Sequence, residues 1–358
     1  MNKEHMLLTA EQMRQADANA IQRLGHGYGL MQQAGKKVFE QVTQHINTEH
    51  YPPKVLILCG MGNNGGDGFV AARHFLEEKI TADVVLLGEI SNMRETASKA
   101  FEELPRECLI EAEAVDWNDY SIIIDALFGI GLDRNITGSF AEVIEAANQT
   151  DALRIAIDIP SGVDTDSGKI LGRAFQADLT ITFFAAKLGH YLLPSKAYCG
   201  EVVVTDIGIE MQDLAEDSIT YRLNHPDCWQ HKLTTHKLDQ HKYHRGHSII
   251  IGAEMDGVGA SKLAALAALR AGSGLVSIAC SEETLPIYAS WATAIMTKPY
   301  ANEEELENIL QYPKVSAIAH GMGARVKDST RDRVIAILKT GKPCVLDADA
   351  ISAFKGEL

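Results

Sequence analysis

The chain has 358 residues, a hydrophobic fraction of 46% and a formal net charge of −15. That length exceeds one ordinary domain and predicts two, each with enough apolar residues for a core. The acidic balance argues against a nucleic-acid backbone or an anionic membrane as partner, while leaving helix N-termini free to hold phosphate. The N-terminal MNKEHMLLTAEQM has no apolar run long enough for a signal peptide or a membrane span. Six cysteines occur without a C-x-x-C pair and read as buried, reduced thiols, so a cytoplasmic protein is expected.

Thr9 and Gln12 form a capping-box signature that predicts a helix over residues 10–24. Glycines at 25–29 break it, and a second helical pattern runs from residue 30 towards 46. Residues 55–59 read as an apolar strand, followed by a glycine loop and a helix from residue 69. Strands are expected at 84–87, 122–124, 155–157, 179–184 and 202–205, alternating with helices at 93–104 and 141–148. This predicts βαβ units and a mostly parallel sheet. A polar stretch from 224 to 247 holds six of the thirteen histidines. The alternation then restarts with a strand at 248–251, a helix at 260–271 and a strand at 275–279, and continues through 315–319, 329–339 and 343–346. The boundary is placed near 215–235, giving domains 1–220 and 221–358.

CGMGNNGGDGF, residues 59–69, lies between a strand and a helix, and Gly60, Gly62 and Gly65 match G-x-G-x-x-G. Such glycines let backbone approach a pyrophosphate at a helix N-terminus, but a tight strand-to-helix turn without ligand uses them too. Glu89 matches only loosely the acid that a dehydrogenase fingerprint requires. Asp67, Asp125 and Asp158 all fall at strand-to-helix loops, on the side where doubly wound sheets bind ligands. Three carboxylates on one rim repel unless a cation, a donor or a proton offsets them; the plainer reading makes at least one a helix N-cap. Ser161 either caps a turn or joins Asn64 and Asp125 as oxygen ligands of a hard cation. Arg134, in a second glycine loop, is available for a phosphate. Lys187 follows a strand, where a lone lysine is usually solvated.

GNNGGDG (62–68), DALFGIGLDRNITG (125–138), DIPSGVDTDSG (158–168) and TFFAAKLGHYL (182–192), in this order and spacing, closely resemble the NAD(P)H-hydrate epimerase domain. The resemblance covers about the first 215 residues. It implies a Rossmann-like doubly wound fold that binds hydrated nicotinamide dinucleotides and a potassium ion. Carried over by position, it puts substrate contacts on Asn63, Asn64, Gly65, Gly66, Asp67, Gly129, Ile130, Gly131, Leu132, Asp133, Arg134, Asn135 and Asp158. It puts potassium contacts on Asn64, Asp125 and Ser161. The implied reaction interconverts R and S hydrates at C6 of the nicotinamide ring, where the hydroxyl and ring nitrogen N1 form a hemiaminal. Asp158 is the first choice for the acid–base residue this needs and Lys187 the second. Loss of the hydroxyl and opening of the ring both remain open as routes.

HKYHRGHSIIIGA (241–253) and GVGASKLAALAALRAGSGLVSIA (257–279) resemble the start of the ribokinase-like, ADP/ATP-dependent dehydratase domain that is joined to this epimerase in many bacteria. AHGMGAR (319–325) stands at that family's G-P-G-L-G loop, from which Met322, Ala324 and Arg325 depart, and KPCVLDADAI (342–351) matches a later strand. The resemblance puts Ala260 and Gly323 against the hydrated nucleotide. The family's N-G-T-G-D loop, with its catalytic aspartate and nucleotide-phosphate contacts, does not occur up to Leu358. The expectation is therefore an incomplete ribokinase-like domain with an unpaired sheet edge, in a chain that epimerises but does not dehydrate. His241, His244 and His247 have spacings open to zinc, but the stretch reads as a solvated linker, with His247 placed to line a pocket. The expected partner is a small molecule, not nucleic acid or a membrane, and self-association stays open. Two other readings compete: a dinucleotide-binding protein without catalysis, and a small-molecule kinase of ribokinase type.

Overall fold

The structure, a computed structural model, describes residues 5–45, 53–215, 221–233 and 241–356. Residue 46, the expected end of the second helical pattern, and His236 of the histidine-rich stretch lie outside the described residues. The chain divides into two compact units, Met1–His231 and Lys232–Leu358. The division thus falls after His231 rather than after residue 220. The difference comes from a short strand at Tyr221–Arg222 that pairs back onto Met6 and Leu7.

The first unit opens with β1 (Met6–Leu8) and α1 (Ala10–Leu24). The capping box is present: Gln12 N donates to Thr9 Oγ1 at 3.2 Å, and Thr9 N donates to Gln12 Oε1 at 2.8 Å. Gly25, at φ +82°, ends the helix. There follow α2 (Tyr28–Thr43), β2 (Lys54–Cys59), α3 (Asn63–Glu77), β3 (Thr81–Leu86), α4 (Glu95–Glu102) and β4 (Leu109–Ile110). Next come β5 (Ile122–Ala126), α5 (Ser139–Asn148), β6 (Leu153–Ile157), β7 (Leu179–Phe183), β8 (Ala186–Lys187), β9 (Glu201–Thr205), β10 (Tyr221–Arg222) and α6 (Pro226–Trp229).

Seven strands form one parallel sheet in the order β4-β3-β2-β5-β6-β7-β9. Alternate residues of β2 divide between two cores. Val55, Ile57 and Cys59 face Val38 of α2, Phe69 of α3 and Phe101 of α4, whereas Leu56 and Leu58 join Val143 and Ile144 of α5. Burial on both faces explains why the central strands read as unbroken apolar runs. β1 pairs with β8 and β10 in a separate three-stranded sheet.

One sequence expectation changes here. The GNNGGDG segment is not a loop before a helix; it is the first two turns of α3, which starts at Asn63 rather than Phe69. The glycines let this helix lie close to its neighbours. A Cβ on Gly65 would strike the Gly60 carbonyl, and one on Gly66 would strike Met31 of α2.

The second unit runs β11 (His247–Ile251), α7 (Val258–Arg270), β12 (Leu275–Ser281), α8 (Leu285–Ala289), β13 (Met296–Tyr300), α9 (Glu303–Gln311), β14 (Ala317–His320), α10 (Asp328–Lys339), β15 (Cys344–Leu346) and α11 (Asp349–Ser352). Its five strands are parallel in the order β13-β12-β11-β14-β15. Leu306, Leu310 and Ile337 cover one face, and Ala265 and Tyr288 the other. Among the described residues no helix is long and apolar enough to cross a membrane.

Candidate active site

The carboxyl ends of β2, β3, β5 and β6, with α1 and α2, enclose a cavity of about 720 Å³ in the first unit. Asn63, Asn64, Asp67, Gly129, Ile130, Gly131, Leu132, Arg134 and Asp158 line it, as do Glu89 and Arg94. Gly65 and Gly66 are buried behind this wall, while Asp133 and Asn135 lie outside the lining. Gly62 caps α3 without a side-chain hydrogen bond, which leaves N–H groups of the first turn for an anion.

Asp158 stands one residue beyond β6 with φ +65°, a left-handed conformation uncommon for a residue with a Cβ. Ile159 N donates to the Ile157 carbonyl at 2.8 Å across it, closing a three-residue turn. The neighbouring strand ends the same way. Phe184 has φ +64°, and Ala185 N donates to the Phe183 carbonyl at 2.7 Å. Such strained turns cost on the order of 1–3 kcal/mol each and persist where their surroundings hold them. Here they set the Asp158 side chain beside Thr182 and Lys187.

Lys187 is fully buried, which overturns the expectation of a solvated lysine. Its Nζ donates to Asp158 Oδ1 at 2.6 Å, Thr182 Oγ1 at 2.6 Å and the Phe183 carbonyl at 3.2 Å. Those three bonds use the full donor capacity of an ammonium. Burial alone would push the Asp158 carboxyl up. The Lys187 charge and hydrogen bond, helped by Thr182, outweigh burial and hold it below the ordinary value. His190 accepts from Lys187 N at 3.0 Å through Nδ1 and places Nε2 2.8 Å from the Asp158 carbonyl. Both bonds suit a neutral imidazole carrying its proton on Nε2. Burial, then the Lys187 charge, accordingly lowers the His190 pKa to about 4.

Asp125 does not join the rim. It is fully buried behind the cavity wall and accepts from Ser161 N at 2.7 Å, Ser161 Oγ at 2.7 Å and Leu127 N at 3.1 Å. Burial pushes its carboxyl up to about 6 despite these donors. None of Asp67, Asp125 and Asp158 is a helix N-cap; Gly62 and Gly138 cap α3 and α5. The buried Asn64 amide lies against Gly129, and its Nδ2 finds no partner among the described residues. The Asp125 carboxylate, the Ser161 hydroxyl bonded to it and the Asn64 side-chain oxygen near Gly129 are hard oxygen donors of the kind a monovalent cation takes, whereas the Asn64 atom left without a partner, Nδ2, is a donor and not a ligand.

Asp67 is half-buried in the cavity. Burial, then Asp158, then Asp17, pushes its carboxyl well above the ordinary range. The sequence motifs do not single out Asp17, Thr182 or His190. Asp17 left one signal, an acid at i+4 from Met13 and i−4 from Ile21 on the inward face of α1.

In the second unit Ala260 is exposed in the first turn of α7, and Gly323, at φ +69°, lies against Gly257 one turn earlier. Arg325 is paired to Glu254 at 3.3 Å and to Asp256, and its N–H donates to Asp349 Oδ2 at 2.7 Å. His247 is buried, with Nε2 2.8 Å from Ser277 Oγ. The His241 and His244 rings stand 6.0 Å apart.

Residues 27–189 match the family described as YjeF-related protein N-terminus, and residues 248–357 match that described as NAD(P)H-hydrate dehydratase. A bifunctional NAD(P)H-hydrate repair enzyme of Coxiella burnetii is 31% identical over 357 residues, covering 97% of this chain and 70% of that protein. Its counterpart in Archaeoglobus fulgidus is 34% identical over 339 residues, covering 90% and 66%. A crystal structure of the Bacillus subtilis ADP/ATP-dependent NAD(P)H-hydrate dehydratase, with ATP and magnesium, is 25% identical over 33% of this chain and 42% of that one, with a TM-score of 0.29.

Proposed function

The chain belongs to the family of bifunctional NAD(P)H-hydrate repair enzymes, and on that premise we propose that its first unit interconverts the R and S hydrates of NADH and NADPH in the 720 Å³ cavity. The observation that carries this reading is the Asp158 carboxylate, held ionised at the cavity wall by a buried lysine. The free N–H groups at the start of α3 suit the pyrophosphate, and the exposed Arg134 suits a phosphate. On this reading the hemiaminal C6 would sit beside Asp158, whose carboxylate would take a proton from the incoming water. Lys187 has no N–H to spare for substrate, so its part is to keep Asp158 charged and oriented.

Asn64, Asp125 and Ser161 would hold a potassium ion. When bound, it would supply positive charge beside the buried Asp125. For the second unit we infer the family's dehydratase module, with ADP or ATP as its nucleotide and Ala260 and Gly323 against the hydrated dinucleotide. The buried free thiols Cys59, Cys108, Cys199 and Cys280 support a cytoplasmic location. The test is Asp158→Asn. Epimerisation should fall by about a hundred- to ten-thousand-fold, while dinucleotide binding, followed by equilibrium dialysis, changes much less. A variant that keeps more than half of wild-type turnover overturns the assignment.

A further inference from the structure

Three carboxyls share the cavity wall: Asp17 on α1, Asp67 on α3 and Asp158 beyond β6. Among the described residues only Asp158 of the three forms an ion pair. Asp17 is half-buried and shares the cavity lining with Met13, Ile21, Leu30, Met31 and Ile207, and among the described residues its carboxyl makes no hydrogen bond or ion pair. The helix that carries it is tied down along its length. Ala10 N is bonded to Asp166 Oδ1 at 2.7 Å, Asn19 Nδ2 to the Asp213 carbonyl at 2.8 Å, and Arg23 to both Asp213 oxygens at 2.9 and 2.7 Å. An unpartnered acid fixed in an apolar wall is costly to the fold. It is therefore a candidate for work on a ligand.

We propose that Asp17 is the second acid–base group of the epimerisation, acting with Asp158 in the same cavity. The inference rests on the epimerase reading and adds a residue to it. The two environments split the carboxyls into complementary states. Burial and the Asp158 charge push Asp17 up to about 7, against a smaller opposing pull from Lys187, while Lys187 holds Asp158 low. Titratable groups driven apart in one site mark an acid and a base. Burial and the neighbouring Asp158 and Asp17 carboxyls push Asp67 up as well.

The step then balances. Asp17 gives its proton to the C6 hydroxyl. The C6–O bond breaks with both electrons leaving on water, and the N1 lone pair forms a C6=N1 double bond. A water molecule adds to C6 on the opposite face, the double-bond pair returns to N1, and Asp158 takes the surplus proton. Passing that proton from Asp158 back to Asp17 restores the starting state.

The experiment compares wild type, Asp17→Asn, Asp17→Glu and Asp158→Asn as full chains, on one purified epimer of hydrated NADH, from about pH 5 to 9. Wild-type kcat should fall as pH rises through about 7. Asp17→Asn should lose about a hundred- to ten-thousand-fold in kcat with KM changed only a few-fold, and its residual rate should lack that limb. Asp17→Glu should recover a substantial part of kcat and show the limb displaced in pH. If Asp17→Asn stays within threefold of wild-type kcat, or loses rate but keeps the limb, the proposal is wrong. If Asp17→Asn does not fold, Asp17→Glu decides: a shifted limb supports the role and an unshifted one overturns it. A wild type that epimerises nothing overturns the epimerase reading itself, which separates that failure from this one.

Discussion

The Nζ of Lys187 lies 2.6 Å from Oδ1 of Asp158, inside a pair whose lysine is wholly buried and whose aspartate side chain is 14% exposed. Two strained turns, at Asp158 and Phe184, hold this contact between adjacent parallel strands. Removing the cation alone leaves a carboxylate that its surroundings no longer support.

Lys187→Met should therefore cost about 3–5 kcal/mol of stability, the usual penalty for breaking a buried pair from one side. Adding Asp158→Asn should return part of that loss. Urea unfolding of the two single variants and the double variant measures the coupling; simple additivity would contradict the pairing.

Asp17 makes a separate prediction about stability. Its pKa in the fold, about 7, lies above the ordinary value of 3.8. The fold thus favours the protonated carboxyl, and its contribution is fully present below about pH 4 and lost as pH rises through about 7. Asp17→Asn should be more stable than wild type at about pH 8, and the difference should vanish towards pH 4. Unfolding midpoints at several pH values check the sign, and a constant offset would contradict it.

Potassium should raise the melting temperature relative to choline chloride at equal ionic strength, and Asp125→Ala should abolish the increment. Because burial pushes Asp125 up to about 6, the increment should shrink as pH falls below that value and the ligand takes a proton. Equal melting temperatures in both salts would contradict the cation site.

Departure of the hydroxyl exchanges it for a solvent oxygen at each inversion. Epimerisation in H₂¹⁸O should place the label at C6 at the rate of epimerisation. Inversion that outruns labelling would point to ring opening instead.

Much of this architecture is legible in the sequence where one local rule dominates. The capping box and Gly25 bound α1 without help from tertiary contacts. Asp158 and Ser161 are legible through strand-end motifs, because ligand loops in doubly wound sheets occupy that position. The glycines of GNNGGDG mislead for a physical reason: they look like a flexible loop, but they serve the close approach of α3 to Gly60 and Met31. β13 escapes notice because it is an edge strand carrying Lys298 and Pro299, without an apolar rhythm. The burial of Lys187 and the role of Asp17 depend on which elements meet across the cavity, and no local pattern carries that.

The most direct measurement follows a single purified R epimer of hydrated NADH by chromatography, with and without this chain. Rapid equilibration to an R and S mixture is expected in the presence of wild type, slowed by about a hundred- to ten-thousand-fold with Asp158→Asn. An R epimer that persists unchanged beside folded wild-type protein in potassium buffer would contradict it.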